Sequence, residues 1–248
     1  MSERVRIVES REAPRGAIIL QGLPDVGLVG LIASSHIISQ LKLTEVAHVD
    51  SDLLPPVAVL HKGLPHAPIR IFGNDDIIAT VSETAIPASA VQPIMRALVD
   101  WGEMKQMKMM VALGGLPVPN RQDIEKPKVF GVASIPQLLE MLSQRGVEIL
   151  REGYMVGPYA LILRYCAEKG LPAIALLAQC FYNYPDPEAA AAAINELKKV
   201  VELDVDVSDL IKRGEEIRLK ARDIMRRTQY ELARMKKSQE YDLPPLYV

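Results

Sequence analysis

Short apolar runs alternate with helical patterns along the first 205 residues, and this alternation limits the possible folds more than any other feature of the chain. The predicted strands are residues 17–20, 45–49, 57–60, 69–72, 77–81, 109–113, 129–133 and 173–177. The predicted helices are residues 26–40, 88–104, 135–145, 157–169 and 187–201. Several runs are continuously apolar, which is typical of strands buried on both faces of a sheet. The pattern predicts a three-layer α/β fold, helix–sheet–helix, around a mixed, mostly parallel sheet.

Three of the apolar runs, residues 57–60, 69–72 and 77–81, follow one another without an intervening helix. Parallel neighbours need long crossover connections, so short connections predict an antiparallel or mixed part of the sheet here. Apolar residues make up 49% of the chain, which is enough for a large core.

A long charged stretch follows the predicted core and reads as one helix. We expect Ser208 to be its N-cap and Asp209 to favour the helix dipole from the first turn. Apolar residues recur on it in two rows at intervals of seven: Leu210, Ile217, Ile224 and Ala221, Thr228, Met235. Such a narrow row suits a helix lying along its own domain or one packed against other subunits. The predicted division is a core of residues 1–205, a helix of residues 206–240 and a tail of residues 241–248.

Two glycine-rich loops follow predicted strands. The first holds Gly22, Gly27 and Gly30, and the spacing of Gly22 and Gly27 matches a phosphate-binding P-loop. Leu28 and Val29 stand where that motif needs Lys and Ser or Thr, so the cation and the magnesium-binding hydroxyl are missing. The glycines are therefore interpreted as allowing a tight strand-to-helix turn, with an anion or ligand site as the alternative.

The second loop holds Gly114 and Gly115, and the turn-forming interpretation is preferred there too. The alternative is an enzyme acting on a small, nucleoside-like ligand in a cleft between the two loops. The residues to test for that activity are Asp25, Glu83, Asn120 and Tyr154.

Other function classes find little support in the sequence. The four histidines have no familiar ligand spacing, and we expect neither a metal nor a cofactor. Cys166 and Cys180 lie in apolar segments and are expected to be buried, reduced thiols. Basic residues outnumber acidic ones by 10 to 5 in residues 211–240, but the net charge is −2, so we expect no nucleic-acid partner. No apolar run of membrane-spanning length occurs, which favours a cytoplasmic protein.

Three segments together resemble the archaeal branch of the proteasome assembly chaperone family. They are GLPDVGLVG at residues 22–30, LGGLP at residues 113–117 and GPYALILRYC at residues 157–166. The resemblance implies an α/β core similar to that of nucleoside phosphorylases, without catalysis. It also implies a homo-oligomer whose partners are proteasome α-subunits or the core particle.

The last three residues, Leu246, Tyr247 and Val248, match the hydrophobic–tyrosine–any-residue ending seen in proteasome activators. By chance roughly one chain in sixty of this composition would match. The resemblance implies that the Val248 carboxylate meets a lysine in a pocket between α-subunits, while Leu246 and Tyr247 provide apolar anchors. Pro244 and Pro245 favour an extended approach. The predicted function is tail docking that assists assembly or activates the core particle; the alternative is a tail sequestered within its own oligomer.

Overall fold

A nine-stranded sheet separates two layers of helices in the computed structural model, which describes residues 5–235. The strands are β1 (Val5–Glu9), β2 (Ile18–Gly22), β3 (Thr44–Ser51), β4 (Val59–His61), β5 (Leu64–His66), β6 (Ile69–Gly73), β7 (Ile77–Ser82), β8 (Met109–Pro117), β9 (Val129–Ala133), β10 (Glu148–Ile149) and β11 (Ala173–Cys180). The helices are α1 (Val29–Gln40), α2 (Ala88–Met104), α3 (Pro136–Gln144), α4 (Pro158–Lys169), α5 (Pro187–Val200), α6 (Ser208–Lys212) and α7 (Gly214–Arg234). Short 3₁₀ turns lie at Val26–Leu28 and Arg121–Asp123.

The strand order of the main sheet is β1-β3-β6-β7-β2-β8-β11-β9-β10. The four central strands β7, β2, β8 and β11 are parallel. Strands β6, β3 and β1 extend the sheet on one side in antiparallel pairs, and β9 lies antiparallel to β11 on the other. The predicted mixed α/β sheet is confirmed, and its parallel centre brings the carboxyl ends of four strands to one edge.

Each face of the sheet has its own apolar core, because successive side chains of a strand point to opposite faces. On β2, Leu20 packs with α1 and α5, whereas Ile19 packs with α2 and α4. On β8, Val111 belongs to the first core and Met110 to the second. The central strands are buried on both faces, which explains their continuously apolar sequences.

One predicted strand is placed differently from the expectation. Residues 69–72 and 77–81 do form antiparallel neighbours, β6 and β7, but residues 57–60 do not join the sheet. They contribute to β4, which pairs only with β5 in a separate hairpin, while β3 occupies the position next to β6. Prolines at positions 55, 56 and 65 lack backbone N–H donors and disfavour a place in the sheet interior.

The C-terminal helical stretch also differs from the prediction of one continuous helix beginning with an N-cap serine. It is interrupted at Arg213, and α6 begins after Val207 rather than at a capping Ser208. The Asp206 carboxylate instead accepts hydrogen bonds from the Ser208 backbone N–H and hydroxyl, at 3.0 and 2.8 Å. The apolar rows face their own domain: Leu210 and Thr228 are buried, and Ile217 packs on the first core.

Candidate functional site

The first glycine loop lies at the carboxyl end of β2, where ligands bind in many open α/β sheets. Gly27 has a φ of 62°, in the left-handed region that favours glycine, and a β-carbon there would lie 3.0 Å from the Cys180 side chain. A β-carbon on Gly30 would collide with the backbone carbonyl of Leu113, and one on Gly22 would collide with Ser34. These glycines allow close packing of the loop and α1 on the sheet.

The second glycine segment packs directly against the first loop, but it is part of a strand: Gly114 and Gly115 lie in β8 and pair with Leu177 and Ala178 of β11. A β-carbon on Gly115 would lie 2.5 Å from the Val26 carbonyl oxygen and would collide with the Cys180 sulfur. One on Gly114 would lie 2.8 Å from the ring of Tyr159 on α4. The space beside the glycines is thus filled by the protein's own atoms. The turn-forming interpretation of Gly114 and Gly115 is wrong, because strand β8 continues through both residues to Pro117 and their lack of side chains allows close packing instead.

A buried ion pair, which the sequence did not predict, joins the loops that follow β8 and β11. Arg121 donates to both carboxylate oxygens of Asp186, at 2.8 and 3.1 Å, and to Glu188 at 3.0 Å. The side chains of Arg121 and Asp186 are 3% and 0% exposed. Burial lowers the pKa of Arg121, but hydrogen bonds and charge attraction from the two carboxylates outweigh it and hold that pKa above its ordinary value.

Asp186 has three further roles in the same place. Its side chain caps α5 by accepting from the Ala189 N–H at 3.0 Å, which confirms the helix start expected before Pro187. The carboxylate also accepts from the Phe181 N–H, and the Asp186 N–H donates to the Gly27 carbonyl at 2.8 Å. Asp186 therefore ties the first glycine loop, the end of β11 and α5 together.

Helix α7 crosses the loops that follow three of the parallel strands. It packs on the Val26–Leu28 turn after β2. The Gln229 side-chain amide donates to Asn183 after β11, at 2.9 Å, and the Glu231 carboxylate accepts from the Ala88 N–H at the start of α2, at 2.8 Å. Met225 and Leu232 of α7 are themselves buried. The usual ligand-binding edge of the sheet is thus covered by the protein's own helix.

The four residues suggested for catalysis are not gathered into one cleft. Asp25 lies in the first loop and is 2% exposed, Asn120 precedes the 3₁₀ turn after β8, and Tyr154 lies in the β10–α4 connection. Glu83 lines a groove between α1 and the α6–α7 segment, and that groove contains none of the other three.

Glu83 is held in a charged cluster at the end of β7. It accepts hydrogen bonds from His61, at 3.0 Å, and from Arg70. Burial raises the pKa of Glu83, but these hydrogen bonds and the nearby charges more than compensate, so the pKa lies below its ordinary value. Arg70 also reaches Glu45 at 3.4 Å. The cluster is internally paired and ties the β4–β5 hairpin to the sheet.

The remaining expectations concern the cysteines, metal binding, membrane-spanning helices and the C-terminal docking residues. Cys166 and Cys180 are free and buried, as predicted, and burial raises the pKa of the Cys166 thiol to about 12. Within residues 5–235 no cluster of His, Cys, Asp and Glu is arranged to hold a metal ion. Among the helices of that same range, none has the length and apolar character needed to span a bilayer. The predicted docking residues Leu246, Tyr247 and Val248 lie outside the described residues.

Fold and site together define a class of protein: an α/β domain in which a glycine loop packs closely on a glycine-containing strand, with the usual ligand-binding edge of the sheet covered by helix α7. The chain belongs to the PAC2 family, whose model matches residues 19–225. An uncharacterized protein of Methanocaldococcus jannaschii is 31% identical over the full length of both chains.

Solved structures show the same fold. The crystal structure of Pyrococcus furiosus PbaA, described as an archaeal homolog of proteasome-assembly chaperone, matches with a TM-score of 0.86 and 28% identity, covering 93% of this chain and 99% of PbaA. P. furiosus PbaB, described as an archaeal proteasome activator, matches with a TM-score of 0.75 and 23% identity, covering 90% and 99% of the two chains. The predicted resemblance and fold class are confirmed.

Proposed function

We propose that this protein is a non-enzymatic, proteasome-assembly-chaperone-like protein that forms a homo-oligomer and docks its C-terminal tails on the proteasome α-ring. The observation that carries the proposal is the Leu246-Tyr247-Val248 ending in a chain of the PAC2 family. The likeness to PbaA, described as a proteasome-assembly chaperone homolog, supports the choice of partner.

The arrangement of the sheet edge supports a binding role over catalysis. In open α/β enzymes the crevice at the carboxyl ends of the strands holds the substrate. Here α7 covers that edge through Gln229 and Glu231, and the two glycine segments pack against Cys180 and Tyr159 rather than lining open space. No observation favours the alternative of a nucleoside-like ligand.

The number of residues after Met235 limits how far the tail can reach. Thirteen residues follow Met235, the last residue described, and a fully extended chain of that length spans at most about 45 Å. A carboxylate–ammonium hydrogen bond and a buried tyrosine are strong contacts for their size. One tail of three anchors binds weakly, whereas several tails on one oligomer gain roughly 100- to 10,000-fold in effective affinity.

The test uses the full chain and the core particle of the same organism. We expect Tyr247→Ala to abolish co-sedimentation with the core particle and Tyr247→Phe to retain most of it, because the phenyl ring keeps the buried area. Tyr230→Ala is the matched control, since Tyr230 is a 66% exposed tyrosine on α7. Equal binding by the Tyr247→Ala and unmodified chains refutes the docking mechanism.

A second readout separates assistance of assembly from activation. Stimulated hydrolysis of a short fluorogenic peptide by the assembled core particle indicates gate opening, whereas faster ring formation from free α-subunits indicates an assembly role. If the tail were instead sequestered in its own oligomer, the full-length protein would bind the core particle no better than the Tyr247→Ala variant.

A further inference from the structure

We propose that the outward face of α7 carries a positive charge that steers this protein onto an acidic protein surface. Four exposed arginines between the middle and the end of the helix form this arginine face: Arg222, Arg226, Arg227 and Arg234. The inference rests on the proposed function and adds a property of its partner, which is that carboxylates surround the site that receives the tail.

The first turns of α7 are neutralised by their own ion pairs. The Glu216 carboxylate accepts hydrogen bonds from Arg213 at 2.8 Å and from Lys220 at 2.6 Å. Arg218 pairs with Glu215 one turn away. Opposite charges at these spacings stabilise a solvated helix, so this part of the charge pattern is explained without a partner.

The arginine face is not neutralised in this way. Arg222 and Arg227 make no ion pair with another residue in the range 5–235. Arg226 lies 3.7 Å from Asp223, but these side chains are 77% and 81% exposed, and so exposed a pair compensates little charge. Asp223 is the single exposed carboxylate among residues 222–234. Positive charge therefore dominates this face.

The stability of the helix explains one of the four arginines and not the others. Arg234 lies in the last turn, where the helix dipole favours a positive charge, and it is 3.5 Å from Glu231. Arg222 and Arg226 are four residues apart, and like charges at that spacing destabilise a helix. Their repulsion opposes folding of the isolated chain, and an acidic partner would relieve it.

The charge of the whole chain favours a protein over a nucleic acid as the partner. The formal net charge is −2, so the positive potential is confined to a local surface. Four cations over about 18 Å of helix suit a limited group of carboxylates rather than a continuous phosphate backbone. Lys236 and Lys237 follow in the sequence, so the basic character continues toward the tail. Such a face raises the rate at which the tail meets an acidic surface.

The test measures the association rate constant of the full chain on immobilised core particle by biolayer interferometry, at about 50 mM and about 500 mM salt. We expect Arg222→Glu/Arg227→Glu to lower this constant at least about tenfold at the lower salt concentration. At the higher concentration the loss should be less than about twofold, because surface charges are screened. The dissociation rate constant should change less than about threefold, since steering acts before the tail is bound.

Control variants separate the position of the charge from its amount. Arg15→Glu/Lys108→Glu makes the same change in net charge at the opposite edge of the sheet, just before β2 and β8. Both of these residues are exposed and make no ion pair within the range 5–235, so the association rate constant should stay within about twofold. Arg222→Lys/Arg227→Lys and Tyr230→Ala keep the charge of the face and should do the same. Far-UV circular dichroism and mass photometry establish that each variant is folded and keeps its mass.

Equal association rate constants for the unmodified chain and the Arg222→Glu/Arg227→Glu variant at low salt would overturn the steering role, as would an equal loss in the Arg15→Glu/Lys108→Glu variant. A reduced oligomer mass of the Arg222→Glu/Arg227→Glu variant would place the face between copies and would also overturn it. So would binding of a single-stranded RNA oligonucleotide through these arginines, with unchanged association on the core particle.

The same experiment separates this inference from the proposed function. An unmodified chain that does not bind the core particle refutes both. A slower association of the Arg222→Glu/Arg227→Glu variant, together with full binding by the Tyr247→Ala variant, refutes tail docking and supports the acidic partner surface. Loss of binding by Tyr247→Ala with no effect of the arginine substitutions refutes steering alone.

Discussion

Replacing Asp186 with alanine tests how the loops at the carboxyl edge of the sheet are held together. The carboxylate is fully buried and accepts four hydrogen bonds, two from Arg121 and one each from the Phe181 and Ala189 N–H groups. The substitution leaves a guanidinium that is 3% exposed without its main counter-charge. It also removes the N-cap of α5.

The expected loss follows from these contacts. Breaking a buried ion pair by removing one partner costs about 3–5 kcal/mol, and loss of an N-cap about 1 kcal/mol. Glu188 stays within 3.0 Å of Arg121 and is 44% exposed, so part of the charge remains compensated. We therefore expect Asp186→Ala to lower the free energy of unfolding by about 4 kcal/mol. Asp186→Asn keeps a capping oxygen and should lose about 1 kcal/mol less.

Urea unfolding measures this loss of unfolding free energy. It is followed by circular dichroism and by the fluorescence of Trp101, the single tryptophan of the chain. The control is Glu148→Ala, which removes a solvent-exposed pair with Lys128 and should cost less than about 1 kcal/mol. Arg121→Met should cost less in the Asp186→Ala background than alone, since the buried charge is then already unpaired. An Asp186→Ala loss no larger than that of the control would refute the reasoning.

Three further predictions concern other parts of the fold. Gly30→Ala should cost at least about 2 kcal/mol in urea unfolding because its β-carbon meets a backbone carbonyl of β8, whereas Gly214→Ala, also in a helix, has its nearest atom at 3.9 Å and should be neutral or slightly stabilising. Equal effects would contradict this packing role. Glu231→Ala should cost about 1 kcal/mol by uncapping α2, whereas Asp223→Ala, at an 81% exposed side chain on the same helix, should change stability by less than half as much. Burial raises the pKa of Glu83, but His61 and Arg70 more than compensate and hold that pKa below 4.5. The Glu83 carboxylate therefore contributes its full stabilisation of the folded state above pH 4.5 and loses it as the pH falls through the folded pKa. Glu83→Gln should therefore reduce the dependence of unfolding free energy on pH below 4.5, and an unchanged acid dependence would argue against this contribution.

The fold was predictable where local signals and burial agree. The central strands are continuously apolar, so β8 and β11 begin at the predicted residues, although they run four and three residues beyond the predicted ends at 113 and 177. Helix α5 begins at an Asp-Pro signal and was recovered close to its observed limits. The position of residues 57–60 was not predictable, because apolar composition cannot tell a strand of the main sheet from a strand of a separate hairpin. Strand β1 was not predicted. It is an edge strand with several exposed residues, and it pairs with β3, which lies about forty residues away in the chain.

The candidate site was predictable only in part. Gly27 lies in a strand-to-helix turn and has the positive φ that favours glycine there. Gly114 and Gly115 were assigned to a turn but lie in β8, because the sequence does not show that the strand continues through them. Arg121 and Asp186 are 65 residues apart, and their pairing depends on loops that meet only in the folded chain. The contacts of Gln229 and Glu231 likewise depend on how α7 crosses the sheet edge, which helical periodicity does not determine.

The most direct test of the proposed function is the dissociation constant for the core particle of the full chain and of a chain ending at Pro245. The account predicts that removing Leu246, Tyr247 and Val248 weakens binding at least about 100-fold, while the mass of the oligomer is unchanged. Equal dissociation constants for the two chains would contradict tail docking.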